Sequence, residues 1–215
     1  MSEARDQILR RVREATSDVD TRSEPAWDPG AEATYDREPS VEDPAALLAE
    51  RIEDFNATVT RVDADGVAEA IGAIAERHGA KRFAYARGLE PAWLPGGLDL
   101  VEEPELSVQE LDELDGVITG CTLAIAATGT FVLDGGPGQG PRRLTLVPDL
   151  HVCVVREDQI VPGVPQAVAG LRDAAAAGRP LTFVSGPSAT SDIELDRVEG
   201  VHGPRRLEVV LVKGS

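Results

Sequence analysis

The amino-acid sequence predicts an α/β fold with a mainly parallel sheet. Between residues 43 and 86, a helical pattern, a strand, a second helical pattern and a second strand follow one another, which is typical of parallel sheets. The chain has 215 residues, of which 42% are hydrophobic and 27% charged. Chains of this size bury roughly 70% of their unfolded surface, so the composition predicts a globular protein with a substantial core.

The N-terminal part of the chain differs from the rest. Apolar residues at helical spacing within residues 1–16 predict a short amphipathic helix. Residues 17–42 are rich in acidic, hydroxyl and proline residues, which favours an extended arm. We therefore expect an N-terminal helix and acidic arm over 1–42 and one α/β domain over 43–215.

The first half of that domain carries clear start signals. Asp43 is placed to cap a helix whose first residue is Pro44, and a second helix is predicted to open at Asp65. Strands are predicted over 57–62 and 83–86.

The pattern then loosens between residues 89 and 115. Residues 101–115 hold seven acids and no base, which indicates a solvated helix or loop. Further along, apolar segments too close together for intervening helices predict strands of a hairpin or meander. These segments are 117–118, 123–126, 130–133, 144–147 and 151–155. A helix over 165–177 and strands over 181–185 and 207–212 complete the prediction.

Charge and cysteine content exclude several classes of function. The formal charge of −17 disfavours nucleic acid and anionic membrane surfaces, which are bound through Lys and Arg. No apolar run of roughly 18 residues exists to span a membrane, and the N-terminus lacks an apolar leader, so we expect a cytoplasmic protein. Cys121 and Cys153 cannot supply four thiolates to an iron–sulfur cluster, and the three histidines lack the spacing of metal ligands. We expect no metal or cofactor in this chain.

Two glycine-bearing segments are candidates for an anion site. Thr128, Gly129 and Thr130 could present hydroxyl and backbone N–H groups to an anion, or could form a β-bulge. The segment 135–143 offers Gly138, Gly140 and Arg142 for phosphate or carboxylate, but is neither a P-loop nor a dinucleotide motif. A flexible hairpin tip is the alternative for this segment.

A third segment, residues 185–194, is rich in small and hydroxyl residues. Ser188 or Thr190 could cap a helical turn and leave its N–H groups open to an anion. Ser188, Asp192 and His202 also follow the chain order of a hydrolase triad, although the second glycine of a nucleophile elbow is missing. The alternative is a buried loop in which Asp192 and His202 bind the backbone.

We expect these loops to form one site for a small anion at the carboxyl ends of neighbouring strands, with Arg142 or Arg205 as counter-charge. No catalytic residue is assigned. The residues expected to converge are Thr128, Gly129, Ser188, Thr190, Asp192 and His202.

Several of these motifs, in the same order, resemble the lactate-utilisation protein C family. The resemblance covers about residues 115–212. The segments that carry it are Thr128-Gly129-Thr130, Gly138-Gln139-Gly140-Pro141-Arg142-Arg143-Leu144-Thr145-Leu146-Val147-Pro148-Asp149-Leu150-His151, Val154-Val155-Arg156-Glu157-Asp158-Gln159-Ile160, the run from Ser185 to Glu194, and Gly200-Val201-His202-Gly203-Pro204.

The resemblance implies a LUD domain with the three-layer α/β fold of the ribose-5-phosphate isomerase, glucosamine-6-phosphate isomerase and CoA-transferase group. It also implies an accessory or non-redox role in oxidising L-lactate to pyruvate, beside partner proteins that carry iron–sulfur clusters. The alternative is a stand-alone enzyme of the isomerase or CoA-transferase type that binds an anionic ligand. Relatives commonly carry Glu before the Thr-Gly-Thr run, where this chain has Ala127.

Overall fold

A computed structural model describes residues 3–15, 41–103, 106–191, 197–199 and 202–214 of the chain. The chain divides into two units, with the boundary between residues 36 and 37. The first contains helix α1 (Glu3–Ala15), which agrees with the predicted N-terminal helix. Most of the predicted arm over 17–42 lies outside the described residues.

The second unit is built on a six-stranded sheet in which all neighbouring strands are parallel. The strand order is β1 (Thr58–Val62), β12 (Arg206–Val212), β7 (Leu150–Arg156), β4 (Gly116–Thr119), β2 (Arg82–Tyr85) and β3 (Asp99–Glu102). The predicted mainly parallel α/β fold is thus confirmed.

A smaller sheet packs beside the main one. Its strand order is β8 (Ile160–Val161), β5 (Leu123–Ile125), β6 (Thr130–Leu133) and β9 (Thr182–Val184). Strands β5 and β6 form an antiparallel hairpin, β6 pairs antiparallel with β9, and β8 pairs in parallel with β5. A separate antiparallel pair joins β10 (Ala189–Ser191) to β11 (Arg197–Glu199).

The helices cover both faces of the main sheet. Three of them are α2 (Pro44–Asp54), α3 (Val67–His78) and α4 (Val108–Asp112); α5 (Val164–Gly170) and α6 (Arg172–Ala176) follow. The helix predicted over 165–177 is therefore divided at Leu171. No helix among the described residues is long and apolar enough to cross a membrane.

Hydrophobic clusters on the two faces of the main sheet give the second unit three layers. On one face, Ile71 and Ile74 of α3 pack on Phe83 and Val210 of the sheet. On the other face, Leu48 of α2 shares a cluster with strand residues of both sheets, including Phe131, Cys153 and Val209. The main sheet is thus enclosed between α3 and a layer formed by α2 and the smaller sheet.

The predicted meander over 117–155 is wrong in part. Only 123–133 forms a hairpin, while β4 and β7 are parallel neighbours in the main sheet. A loop with left-handed Gly135, Gly138 and Gly140 turns the chain back between β6 and β7. Strands that are close together in the sequence therefore do not all pair with the next strand along the chain.

The strand predicted over 144–147 is also wrong. Residues Arg142–Thr145 form a 3-10 turn that directly follows Pro141. This turn points Leu144 into a small core with Ala84 and Leu111. Apolar residues here reflect the burial of a turn, and apolarity alone does not distinguish that from a strand.

Candidate functional site

A cavity of about 550 Å³ lies where the end of β9 meets the loops that enter β7 and β12. Residues 182–188, 202–204 and the turn at Arg142 and Thr145 form most of its wall, with Phe55 and His151 completing it. Its size is within the usual range of ligand pockets, about 300–1,000 Å³.

The cavity lies at the amino ends of β7 and β12, whereas the sequence predicted a site at carboxyl ends. The segment 135–140, a candidate for the site, lies instead over the carboxyl ends of β2 and β4. There Gly138 donates its N–H to the carbonyl of Arg87, and Gly120 donates to the carbonyl of Gly138, both at 2.7 Å. These bonds attach the segment to the residues that follow β2 and β4.

Gly138 and Gly140 do not line the cavity. Both have positive φ, +76° and +68°, and a Cβ on Gly140 would stand 2.5 Å from Leu144 Cδ2. The glycines thus shape the loop that precedes Arg142. Arg143, the residue after Arg142, does not line the cavity. Its Nη2 lies 2.7 Å from Oε1 of the buried Glu103.

Arg142 provides a positive charge on the cavity wall. Its Nη1 donates to Thr145 Oγ1 at 3.2 Å and its Nη2 donates to the carbonyl of His202 at 3.1 Å. Neither Asp nor Glu occurs among the described residues that line the cavity, and Arg142 forms no ion pair within the described chain. In a chain of net charge −17, this wall favours an anion.

Ser188 and His202 both line the cavity and hold two loops together. Ser188 Oγ accepts from the His202 backbone N–H at 2.9 Å, and Ser188 N donates to the carbonyl of Pro204 at 2.8 Å. Because the bond uses the His202 backbone, it does not activate the serine as a nucleophile. Thr190 belongs to strand β10, so the predicted helical turn is not formed, and Asp192 lies outside the described residues.

Thr128 and Gly129 belong to the loop of the β5–β6 hairpin, and Thr130 begins β6. The β-bulge interpretation is wrong, because the pairing of β5 with β6 is uninterrupted. Gly129 has φ +60°, and a Cβ there would stand 2.6 Å from the carbonyl carbon of Arg51, so this glycine lets the loop contact α2. Thr130 reaches the cavity wall indirectly, because its Oγ1 lies 2.8 Å from Oγ of Ser185, which lines the cavity. Thr128 is exposed.

His151 is a cavity residue that the sequence prediction did not include. It is 1% exposed, and its Nε2 lies 2.8 Å from Thr119 Oγ1. Its ring meets Phe131 edge to face, with centroids 5.8 Å apart. Burial, together with the charge of Arg142, lowers the pKa of His151 to about 3, so the imidazole is neutral near pH 7. A histidine within the apolar run 150–155 was the available signal.

Two aromatic rings were also missed. Phe55 and Phe183 line the cavity and remain 49% and 52% exposed. Gly186, three residues after Phe183, lies against Phe55: a Cβ on Gly186 would stand 2.7 Å from Phe55 Cβ. The absence of a side chain on Gly186 therefore allows the two segments to approach each other. The cavity therefore combines a cationic, hydroxyl-bearing part with an apolar part.

The described residues contain no group of three or more His, Cys, Asp or Glu that could hold a metal ion. Cys121 and Cys153 are both buried, and burial raises the pKa of the Cys153 thiol. A buried, protonated thiol is a poor metal ligand.

Comparisons with known proteins place the cavity within one matched region. The family model for the LUD domain matches residues 45–212, which includes every described cavity residue. The chain is 53% identical over 165 residues to lactate utilization protein C of Deinococcus radiodurans, which covers 76% of each chain. It is 31% identical over 180 residues to the protein of that name from Exiguobacterium, covering 76% of this chain and 78% of the relative.

A solved structure shows the same fold. It is the crystal structure of a DUF162 family protein from Deinococcus radiodurans, 39% identical, with a TM-score of 0.69. The similarity covers 83% of this chain and 99% of that one.

Proposed function

We propose, since the chain belongs to the LUD-domain family, that it takes part in lactate utilisation and binds a small carboxylate in the cavity beside Arg142. The family model and relatives named lactate utilization protein C support the metabolic role. The positive charge of Arg142 on the cavity wall supports a carboxylate as the ligand.

The observation that carries the proposal is the position of Arg142. Its guanidinium is held by Thr145 Oγ1 and the carbonyl of His202, neither of which neutralises its charge. A planar guanidinium binds a carboxylate through two parallel hydrogen bonds, and the described part of the cavity supplies no competing carboxylate. The backbone N–H groups and hydroxyls of the neighbouring loops can serve the remaining oxygen atoms of the ligand.

We further propose that the protein acts as a non-redox subunit or accessory protein beside proteins that carry iron–sulfur clusters. Its two cysteines are too few to hold such a cluster alone, which supports a partner protein as the carrier of the cluster. Co-purification from cells grown on L-lactate tests this part. Iron–sulfur proteins should be recovered with the chain, whereas recovery of the chain alone, with growth on lactate intact after its deletion, would contradict it.

Calorimetric titration with L-lactate and pyruvate tests the binding site. Arg142→Gln should weaken binding about tenfold or more, since a charged hydrogen bond contributes about 1.5–3 kcal/mol. Arg205→Gln is the matched control, because Arg205 binds Asp149 outside this cavity. If both variants weaken binding of the carboxylate equally, or if neither weakens it, Arg142 is not the residue that binds the carboxylate.

The second candidate is a stand-alone enzyme of the isomerase or CoA-transferase type. The half-exposed rings of Phe55 and Phe183, in a cavity of about 550 Å³, favour a ligand larger than a three-carbon acid. A thermal-shift screen of sugar phosphates, CoA esters and folates distinguishes the two candidates. A ligand at 100 times its Kd should add about 2.7 kcal/mol of stability.

A further inference from the structure

A chain of three hydroxyl groups runs from the protein surface to the cavity wall. Thr128 Oγ1 donates to Thr130 Oγ1 at 2.8 Å, and Thr130 Oγ1 lies 2.8 Å from Ser185 Oγ. Thr128 is exposed, Thr130 is 5% exposed and Ser185 lines the cavity. The Thr-Gly-Thr motif therefore reaches the cavity through the residue that directly follows β9.

Counting protons leaves two arrangements of this chain, which differ in the direction of the bond between Thr130 and Ser185. Each hydroxyl has one proton to donate, and the proton of Thr128 is used on Thr130. Thr130 has two acceptors within reach, Ser185 Oγ at 2.8 Å and the carbonyl of Thr128 at 3.3 Å. The 2.8 Å contact has the favoured length for an O–H···O bond, and either of its two hydroxyl groups can donate. When Thr130 donates to Ser185, the proton of Ser185 is available to the cavity.

The opposite arrangement reverses the bond between Thr130 and Ser185. It would require Ser185 to donate to Thr130, and Thr130 to use the 3.3 Å contact with the carbonyl of Thr128. Ser185 would then present only lone pairs to the cavity, on the same wall as the charge of Arg142. An anionic ligand would oppose that arrangement and favour the one in which Ser185 donates. Hydrogen-bond chains also strengthen one another in buried, weakly polar surroundings.

We propose that Ser185 binds an oxygen anion of the ligand and that Thr130 and Thr128 are positioning residues that direct its proton into the cavity. This rests on the proposed function, because it assigns a further contact to the carboxylate placed beside Arg142. The site then selects an oxyanion over a neutral group of the same shape, since hydrogen bonds to charged acceptors are roughly twice as strong.

The test measures the affinity of L-lactate and of L-lactamide, its neutral counterpart, by calorimetry. Thr130→Val keeps the shape of the side chain but cannot donate, and it should reduce the preference for lactate over lactamide about fivefold. Thr130→Ser keeps the hydroxyl and should restore the preference. Ser185→Ala, which removes the cavity donor and leaves the buried Thr130 in place, should reduce the preference to a similar extent.

Each outcome decides the proposal. If Thr130→Val and Ser185→Ala keep the lactate preference of the unaltered chain, the inference is overturned while the proposed function stands. If the unaltered chain binds neither compound, both fail. Failure of Thr130→Ser to restore the preference, at an unchanged melting temperature, overturns the positioning role. If Thr130→Val does not fold, Ser185→Ala and Thr130→Ser decide the question.

Discussion

Nε2 of His151 lies 2.8 Å from Oγ1 of Thr119, and this contact joins β7 to β4 beneath the cavity. Both residues are almost wholly buried, at 1% and 0% exposure. The contact gives each polar side chain a hydrogen-bond partner inside the core. It also holds a neutral imidazole against the wall that carries Arg142.

The first prediction is that stability falls in acid because of His151. Its pKa is about 3 in the folded protein and about 6.5 when unfolded, so only the unfolded chain takes up this proton between those values. Stability from this group is therefore complete above pH 6.5 and is lost as the pH falls towards 3. The free energy of unfolding should decline by at most about 1.4 kcal/mol per pH unit in this window.

Urea denaturation of His151→Asn measures that contribution. Between pH 6.5 and 5 the unaltered chain should lose about 1.7 kcal/mol more than the variant, which cannot titrate there. His202→Asn, a change at an exposed imidazole, is the control and should follow the unaltered chain. If the free energy of unfolding changes with pH to the same extent in the unaltered chain and in His151→Asn, His151 does not have the lowered pKa.

The second prediction concerns the buried carboxylate of Glu208. It is 3% exposed, and its oxygens lie 2.8 Å from Arg77 Nη2 and 2.6 Å from His78 Nε2, both at the end of α3. Replacing Arg77 and His78 together by Ala leaves this charge buried alone, which should cost about 3–5 kcal/mol. Adding Glu208→Leu should recover much of that loss in urea denaturation. A triple variant no more stable than the double would refute the explanation.

The third prediction compares two glycines of similar conformation. Gly129 and Gly79 have φ of +60° and +64°, but a Cβ would meet the Arg51 backbone at Gly129 and nothing within 4 Å at Gly79. Gly79→Ala should cost about 1–2 kcal/mol from its left-handed backbone. Gly129→Ala should cost about 1–3 kcal/mol more, because of overpacking. Equal losses in melting experiments would mean that the contact with α2 adjusts freely.

The fourth prediction concerns the start of α2. Asp43 Oδ1 accepts from the N–H of Ala46 at 2.8 Å. Asp43→Ala should lower the free energy of unfolding by about 1 kcal/mol, and Asp43→Ser should keep most of it, because both Asp and Ser can cap a helix. A full loss with Ser would indicate that the charge, rather than the cap, is what stabilises the helix.

Local features of the sequence predicted a large part of the fold. Asp43 and Pro44 begin α2 as expected, and Gly79 ends α3 in the left-handed conformation. The strands over 58–62 and 206–212 also lie where apolar runs predicted them. These signals act within a few residues, so a single sequence contains them in full.

The candidate site was predicted in part. Arg142, Ser188 and His202 line one cavity, but Gly138 and Gly140 shape a loop elsewhere, and Thr130 contacts Ser185 without lining the cavity itself. Ser185 and His151 could not be selected, because their roles depend on hydrogen bonds to Thr130 and Thr119, which are 55 and 32 positions away in the chain. No local pattern specifies such a bond.

The sequence by itself determined the α/β class, the ends of the principal helices, the apolar strands and the excess of acidic charge. Only the tertiary structure decided that β5 and β6 leave the main sheet and that the cavity opens at the amino ends of β7 and β12. The reason is physical: caps and periodicity act between near neighbours. Strand order and the meeting of loops depend instead on how whole layers bury their apolar faces against one another.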